Sequence, residues 1–317
     1  MHGRAHHPDR QRVGDDPIHR GNQFMRNKAR VAIVTCSVAL AGVTFATQAS
    51  AAAPAGCSRA TLQKVADAYV SAQKAGNPSL LPMAANAKYE ENDKAVDPAK
   101  GVLAEALKVD FTRSLHDTTQ CATFTELVAA THSHPYVIHT RIEVTADGKA
   151  SKVESVVTDE GDWVFGATEH LAVTRVEKWD EIPANKRDSR QVIQAAADAY
   201  LDNWNAPDLP VPHGTPCYRL EGRINTGKDK PEANTCDMGA FPEKLNVTNR
   251  RYVIDETLGA VAVLHKFPWL DAGIPKDPGT PASQMFRVEG GKNRYIHEVT
   301  VCTTPGCGRG RPPGPGG

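Results

Sequence analysis

Two strand-like segments near the C-terminal end carry residues suited to moving a proton. In AVAVLHKF (260–267), alternation puts Val261, Val263, His265 and Phe267 on one face. In NRYIHEVTV (293–301), Tyr295, His297, Val299 and Val301 share a face, against Arg294, Ile296, Glu298 and Thr300. Each histidine thus points with large apolar groups, and an imidazole in a partly dry pocket titrates near neutrality, where acid–base catalysis operates. Charges alternate on two more strands: Arg251, Val253 and Asp255 on one, Cys217, Arg219 and Glu221 on the other. The chemistry suggested is proton transfer without a cofactor. His297 and His265 would line one cavity, Asp255 would orient one of them, and Arg219 or Arg251 would fix an anionic or hydroxylated substrate. Glu221, Tyr252, Tyr295 and, in the first half of the chain, His139 complete the expected substrate-binding set. The plainer reading is a half-buried histidine bonded to backbone, with arginine–carboxylate pairs that only hold the fold.

Other chemistries find less support. HSHPYVIH supplies His132, His134 and His139, and His-x-His resembles a metal pair. His134, however, precedes Pro135 in a turn-like context, and no acidic partner has the expected spacing, so no metal is expected. His116, Asp117 and His139 are weaker acid–base candidates, and Tyr69, Tyr200 and Trp163 suit a core. There is no G-x-S-x-G elbow, no phosphate- or dinucleotide-binding glycine pattern and no HExxH. Lys plus Arg and Asp plus Glu are both 37, which gives no basic footprint for nucleic acid or an anionic membrane.

The elements that would position these residues occur twice. LQKVADAYV (62–70) lies over IQAAADAYL (193–201), with an offset of 194 − 63 = 131 residues between Gln63 and Gln194. Its apolar residues Leu62, Val65, Ala66, Tyr69 and Val70 form the stripe of a helix that buries one face. RSLHDTTQCATFTEL (113–127) lies over RYVIDETLGAVAVLH (251–265), and DGKASKVESVV (147–157) over GGKNRYIHEVT (290–300). Three anchors in one order argue for two copies of one unit. Ser58 is placed to cap the first helix, which stops at Gly76-Asn77-Pro78, and Asp188 or Ser189 to cap the second. Residues 78–96 read as Ala-rich and irregular and 101–109 as a second helix. FTRSLHDTT, CATFTELVAAT, YVIHTRIEVT and ASKVESVVT read as strands, with a hairpin at ADGK. NRRYVIDE, AVAVLHKF, QMFRVEG and NRYIHEVTVC follow in the second copy.

Residues 1–51 read as an N-terminal extension and a secretory signal. From Met25, taken as the start, a basic stretch precedes an apolar run from Val31 to about Ala46 and a small-residue cleavage site ending at Ala51. The units then span 52–179 and 191–302, joined by the linker 180–190, and a disordered Gly/Pro tail covers 303–317. Cys57, Cys121, Cys217, Cys236, Cys302 and Cys307 remain in the exported part, where disulfides are expected. Their pairing is open, with Cys57–Cys121 favoured because those two fall in the first copy.

A helix followed by antiparallel strands resembles the cystatin-like alpha+beta barrel of the nuclear-transport-factor-two-like superfamily. Its members include ketosteroid isomerase, scytalone dehydratase, limonene epoxide hydrolase and the SnoaL-like polyketide cyclases. HPYVIHTRI, GDWVF, TPCYRLEG, NRRYVIDE and FRVEGGKNRYIHEVTVC also resemble a family of secreted fungal and actinobacterial proteins of unassigned function. The resemblance implies an α+β fold of two tandem cone-shaped units, each with helices packed on a curved antiparallel sheet, and a ligand held between helix and sheet. The expected function is a secreted lyase, dehydratase, isomerase or hydrolase acting on a small or oligomeric polar substrate, such as a carbohydrate or secondary metabolite. The alternative is a secreted protein that binds such a ligand without turning it over. No nucleic acid, and no membrane after signal cleavage, is expected as partner; a homodimer is left open.

Overall fold

Ser58 caps α1 (Arg59–Ala75) by accepting the N–H of Thr61, and Gly76 closes it in the left-handed conformation. The computed structural model describes residues 57–239, 244–268 and 279–303. The signal segment and the Gly/Pro tail therefore lie outside the described residues. Leu62, Val65, Ala66, Tyr69 and Ala72 form the buried stripe of α1. Ser189 caps α3 (Arg190–Asn203) by accepting the N–H of Val192, and Ile193, Ala196, Ala197, Tyr200 and Leu201 are its buried stripe. The shared phrase thus folds twice into the same amphipathic helix. A short helix, α2 (Ala167–Thr174), lies between them.

The first unit contributes β1 (Met83–Glu91), β2 (Lys94–Ala95), β3 (Phe111–Asp117), β4 (Ala122–Ala129), β5 (Tyr136–Val144) and β6 (Ala150–Thr158). The second contributes β7 (His213–Glu221), β8 (Ile224–Asn225), β9 (Thr248–Asp255), β10 (Ala260–Phe267), β11 (Thr280–Glu289) and β12 (Lys292–Thr300). The sheets have the same strand order, β2-β1-β6-β5-β4-β3 and β8-β7-β12-β11-β10-β9. This is an α+β protein of two tandem units. Each sheet is mixed, because β1 runs parallel to β6 and β7 parallel to β12.

Two local expectations fail. Residues 78–96 are not irregular throughout but hold β1 and β2, a pairing that depends on the distant β6. The helix expected over 101–109 is one tight turn at Val102–Ala104. Its carbonyls are taken elsewhere: the buried Gln73 side chain donates to Val102 O (2.7 Å) and Glu105 O (3.1 Å), and Leu107 N–H donates to Gln73 O.

Each sheet is buried on both faces. Leu127, Ile138, Ile142 and Val153 pack on α1, and Val261, Val263, Phe286 and Ile296 pack on α3. The opposite faces meet each other, Phe124, Val128, Val137 and Val156 against Ala260, Ala262, Leu264, Met285 and Val299. Each such fully buried large side chain contributes about 1.5–3 kcal/mol.

Reciprocal clasps fix how the faces meet. Arg59 opens α1 and Arg190 opens α3, 190 − 59 = 131 residues apart; Asp117 ends β3 and Asp255 ends β9, 255 − 117 = 138 residues apart. Arg59 Nη1 reaches both oxygens of Asp255 at 2.7 and 2.8 Å, and Arg190 reaches both oxygens of Asp117 at 2.7 Å. The His116 N–H donates to Asp255 Oδ2 and the Ile254 N–H to Asp117 Oδ2, both at 2.9 Å. Such exchange of identical contacts is the pattern of an isologous dimer, here made within one chain. Disulfides Cys57–Cys121 and Cys217–Cys236 close one loop in each unit. Among the described residues no helix is long and apolar enough to cross a membrane.

Candidate functional site

Strand register decides which side chains face α3. His265 pairs with Ala282 and Val263 with Gln284 across β10 and β11; Gln284 pairs with Glu298 and Ala282 with Thr300 across β11 and β12. Val263 packs on α3, so His265, Gln284, Glu298 and Thr300 share that interior face. Arg219 and Glu221 on β7 join them, beside Ile296 and Glu298.

This interior is polar and incompletely bonded. Thr300 donates to Glu298 Oε1 and Arg219 Nη1 to Glu221 Oε1. Glu298 Oε2, Gln284 Oε1, Arg219 Nε and both ring nitrogens of His265 are buried without a hydrogen-bond partner. Burial, reinforced by the Glu221 carboxylate and opposed by Arg219, pushes the Glu298 carboxyl well above the usual range. Burial drives His265 down to about 3, opposed by the Lys266 backbone and reinforced by Arg250 and Arg251.

The corresponding interior of the first unit is closed. Tyr69 Oη lies 2.8 Å from Thr140 Oγ1, which lies 2.9 Å from Ser155 Oγ. Tyr89 donates to Glu91 Oε1 at 2.6 Å. Thr140 and Ser155 pair across β5 and β6 as Gln284 and Glu298 pair across β11 and β12. Leu127 stands where the second unit has His265, since 265 − 127 = 138, the offset of the paired strands.

His297 does not share the face that His265 occupies. It pairs with Met285, which pairs with Ala262, so it lies on the face that meets the other sheet. The alternation within each strand holds, but both faces of β10 and β12 are buried, so alternation alone could not tell which parity faces the helix. Asp255 orients neither histidine: besides Arg59 and the His116 N–H, it accepts the N–H groups of Thr257 and Leu258. Arg251 is likewise engaged between the units, with Asp93 at 3.0 Å and Glu154 at 2.8 Å. Tyr252 donates to Asp198 Oδ1 on α3 at 2.6 Å. Tyr295 packs against Tyr218 and Trp179 on the inter-sheet face.

That face holds a second polar cluster. His297 Nδ1 lies 2.7 Å from Glu126 Oε1, and His297 Nε2 lies 2.8 Å from Glu177 Oε1. His170 Nε2 approaches Glu126 Oε1 at 3.0 Å, and His139 Nε2 lies 3.7 Å from it. Arg113 and Thr174 both donate to Glu126 Oε2 at 3.0 Å, and Tyr218 and Trp179 donate to Glu177. Burial alone would strip His297 of a proton, but the Glu177 and Glu126 carboxylates outweigh it and raise it to about 9. Burial also opposes ionisation of Glu126, yet the His297 charge and bonds from His170 and His297 hold it well below the usual carboxylate range.

The sequence reading missed Glu126, His170, Glu177, Gln284 and Glu298. Glu298 sat one residue from a chosen candidate, and its signal was a carboxyl alternating with Ile296 on an otherwise buried strand. Glu126, His170 and Glu177 come from unrelated elements and had no local signal.

A sequence family described as a domain of unknown function, DUF8021, matches residues 186–300, the span from α3 through β12. No curated protein matches the chain in sequence. Among solved structures, a Pseudomonas putida KT2440 protein provisionally assigned as a polyketide cyclase is similar over 33% of this chain and 89% of its own. The identity is 20% and the TM-score 0.23, too low to carry weight for activity.

Proposed function

We propose that the interior of the second unit binds a small polar molecule, such as a carbohydrate or secondary metabolite, and performs side-chain acid–base chemistry on it. The supporting observation is the set of buried, unpartnered polar atoms on Glu298, Gln284 and His265, where the first unit has a closed hydroxyl chain. Buried polar atoms are rarely left unpaired, and a bound ligand is one physical reason for them. A carboxyl raised as Glu298 is holds its proton to higher pH and suits general acid–base work of the lyase, isomerase or hydrolase kind. His265, neutral at ordinary pH, would orient the ligand with one donor and one acceptor nitrogen, and Arg219 and Glu221 would border it.

The depressed His265 also favours a second reading, ligand binding without turnover, since a histidine at about 3 carries no proton near neutrality. The two disulfides support export, with a signal cleaved after Ala51. N-terminal sequencing of secreted protein tests the cleavage. For the site, a panel of mono- and disaccharides and hydroxylated aromatic acids is screened by thermal shift and for chemical change. A compound that is converted by the wild type, and bound but not converted by Glu298→Gln, fits the enzyme. Binding lost in His265→Leu without conversion fits the binding protein. A stabilising compound that acts equally on both variants and the wild type sinks the choice of site.

A further inference from the structure

We propose that Glu126, His139, His170 and His297 form a closed site for one divalent first-row transition ion of the Zn2+ class, tying the two units together. Glu126 lies on β4, His139 on β5, His170 on α2 and His297 on β12, and all four side chains are fully buried. Three imidazole nitrogens converge on one carboxylate oxygen: His297 Nδ1 at 2.7 Å, His170 Nε2 at 3.0 Å and His139 Nε2 at 3.7 Å from Glu126 Oε1. Ligand atoms about 2.0–2.2 Å from a tetrahedral Zn2+ stand about 3.3 Å from one another, and the three distances to Glu126 Oε1 bracket that value. The ligating atoms of Glu126, His139 and His170 all lie within 4.8 Å of one another.

The far nitrogen of each ring supports the same conclusion. His297 Nε2 meets Glu177 Oε1 at 2.8 Å, His170 Nδ1 meets the Gly222 carbonyl at 2.9 Å and His139 Nδ1 meets Ser283 Oγ at 3.0 Å. Metal-bound histidines hold their other N–H on a carboxylate, carbonyl or comparable acceptor in this way. The Gly222 carbonyl only accepts, so His170 Nδ1 carries the proton there. His170 Nε2, the ring's other nitrogen, is aimed at Glu126 Oε1 at 3.0 Å. His139 Nε2 is buried with no hydrogen-bond partner and points at the same place. Gly222 itself is fixed by position: it has φ of 52°, and a Cβ would lie 2.4 Å from Val164 O. With four protein ligands and no solvent access, the site would be structural, bound as the chain folds, the ion displacing the proton that His297 Nδ1 otherwise shares with Glu126.

The test uses the full chain, unfolded in chelator and refolded with or without one equivalent of Zn2+ or Co2+. The full chain also carries His2, His6 and His7 in its N-terminal stretch, so the readout is the difference between wild type and variants. Expected are one tightly held ion per chain by elemental analysis, visible d–d absorption of four-coordinate Co2+, and a melting temperature several degrees higher with metal. His139→Gln and His170→Gln should each lose that equivalent and that absorption while keeping the wild-type circular dichroism. Metal retained equally by both variants, or no metal-dependent spectrum or melting shift in the wild type, overturns the proposal. The wild-type measurement stands even if both variants fail to fold.

Discussion

Replacing His265 by Leu should make the unliganded protein more stable, and most so in acid. The perturbation has a precedent within the chain, because Leu127 occupies the matching position of the first unit. Near neutral pH the gain comes from removing a buried imidazole whose two nitrogens have no partner, about 1–3 kcal/mol for an unsatisfied polar group. In acid a second contribution appears. The folded value of about 3 lies below the unfolded value near 6.5, so as pH falls below 6.5 the unfolded chain takes a proton that the folded chain refuses. The stability that neutral His265 allows is therefore present above about pH 6.5 and lost as pH falls toward 3. At about pH 4 the loss is about 3 kcal/mol, and Leu at this position cannot suffer it. Urea unfolding of wild type and His265→Leu at several pH values between about 4 and 7.5 reads the difference directly, since other titrating groups act on both proteins. The same variant should lose ligand binding, a trade of function against stability. Parallel stability curves across that range, or a variant weaker than wild type near neutrality, would refute the placement of His265 in a dry, unpartnered interior.

Asp117→Ala and Asp255→Ala should each destabilise by about 3–5 kcal/mol in urea unfolding, because each leaves a clasped arginine and a buried N–H without an acceptor. A loss below about 1 kcal/mol, typical of an exposed ion pair, would mean that the clasps do not hold the units together. Glu298→Gln should abolish turnover of any substrate found, by about 100-fold or more, with little change in binding. It should also flatten the wild type's decline in stability as pH rises through the raised Glu298 value, which stability curves against pH would show. Removing Cys57–Cys121, a separation of 64 residues, should cost about 4 kcal/mol, and removing Cys217–Cys236, a separation of 19, about 3 kcal/mol, if loop entropy dominates. Paired Cys→Ala variants compared by melting temperature would expose a reversed order.

Much of the architecture was legible because it depends on local pattern. The twin phrases around Tyr69 and Tyr200 became α1 and α3 with serine caps, and eight strands followed from alternating segments. What stayed hidden depends on distant partners. The Ala-rich β1 carries little intrinsic strand preference and forms against β6, while 101–109 gives its carbonyls to Gln73 instead of coiling. The site suffered most. AVAVLHKF is apolar on both parities, the signature of a strand covered on both sides, and a two-sided strand offers two candidate interiors. The sequence therefore paired His265 with His297 when His265 shares its face with Glu298, and it could not assemble Glu126, His170 and Glu177 from three separate elements.

The internal dyad explains how one unit can carry unsatisfied polar groups at all. Glu298, Gln284 and His265 together withhold several hydrogen bonds, and each unpaired buried group costs about 1–3 kcal/mol, a large share of the roughly 5–15 kcal/mol that keeps a domain folded. A lone unit of this size has little margin to absorb that. Here the second sheet buries its other face against a first unit whose own interior is closed by Tyr69, Thr140 and Ser155, and the Arg59–Asp255 and Arg190–Asp117 clasps lock the two in register. Unfolding the second unit would expose the inner face of the first, so the two share their stability. Fusion of like units thus lets the interiors diverge: Tyr69, Thr140 and Ser155 join in a hydroxyl chain in one, while Glu298, Gln284 and His265 in the other hold buried polar atoms without a partner.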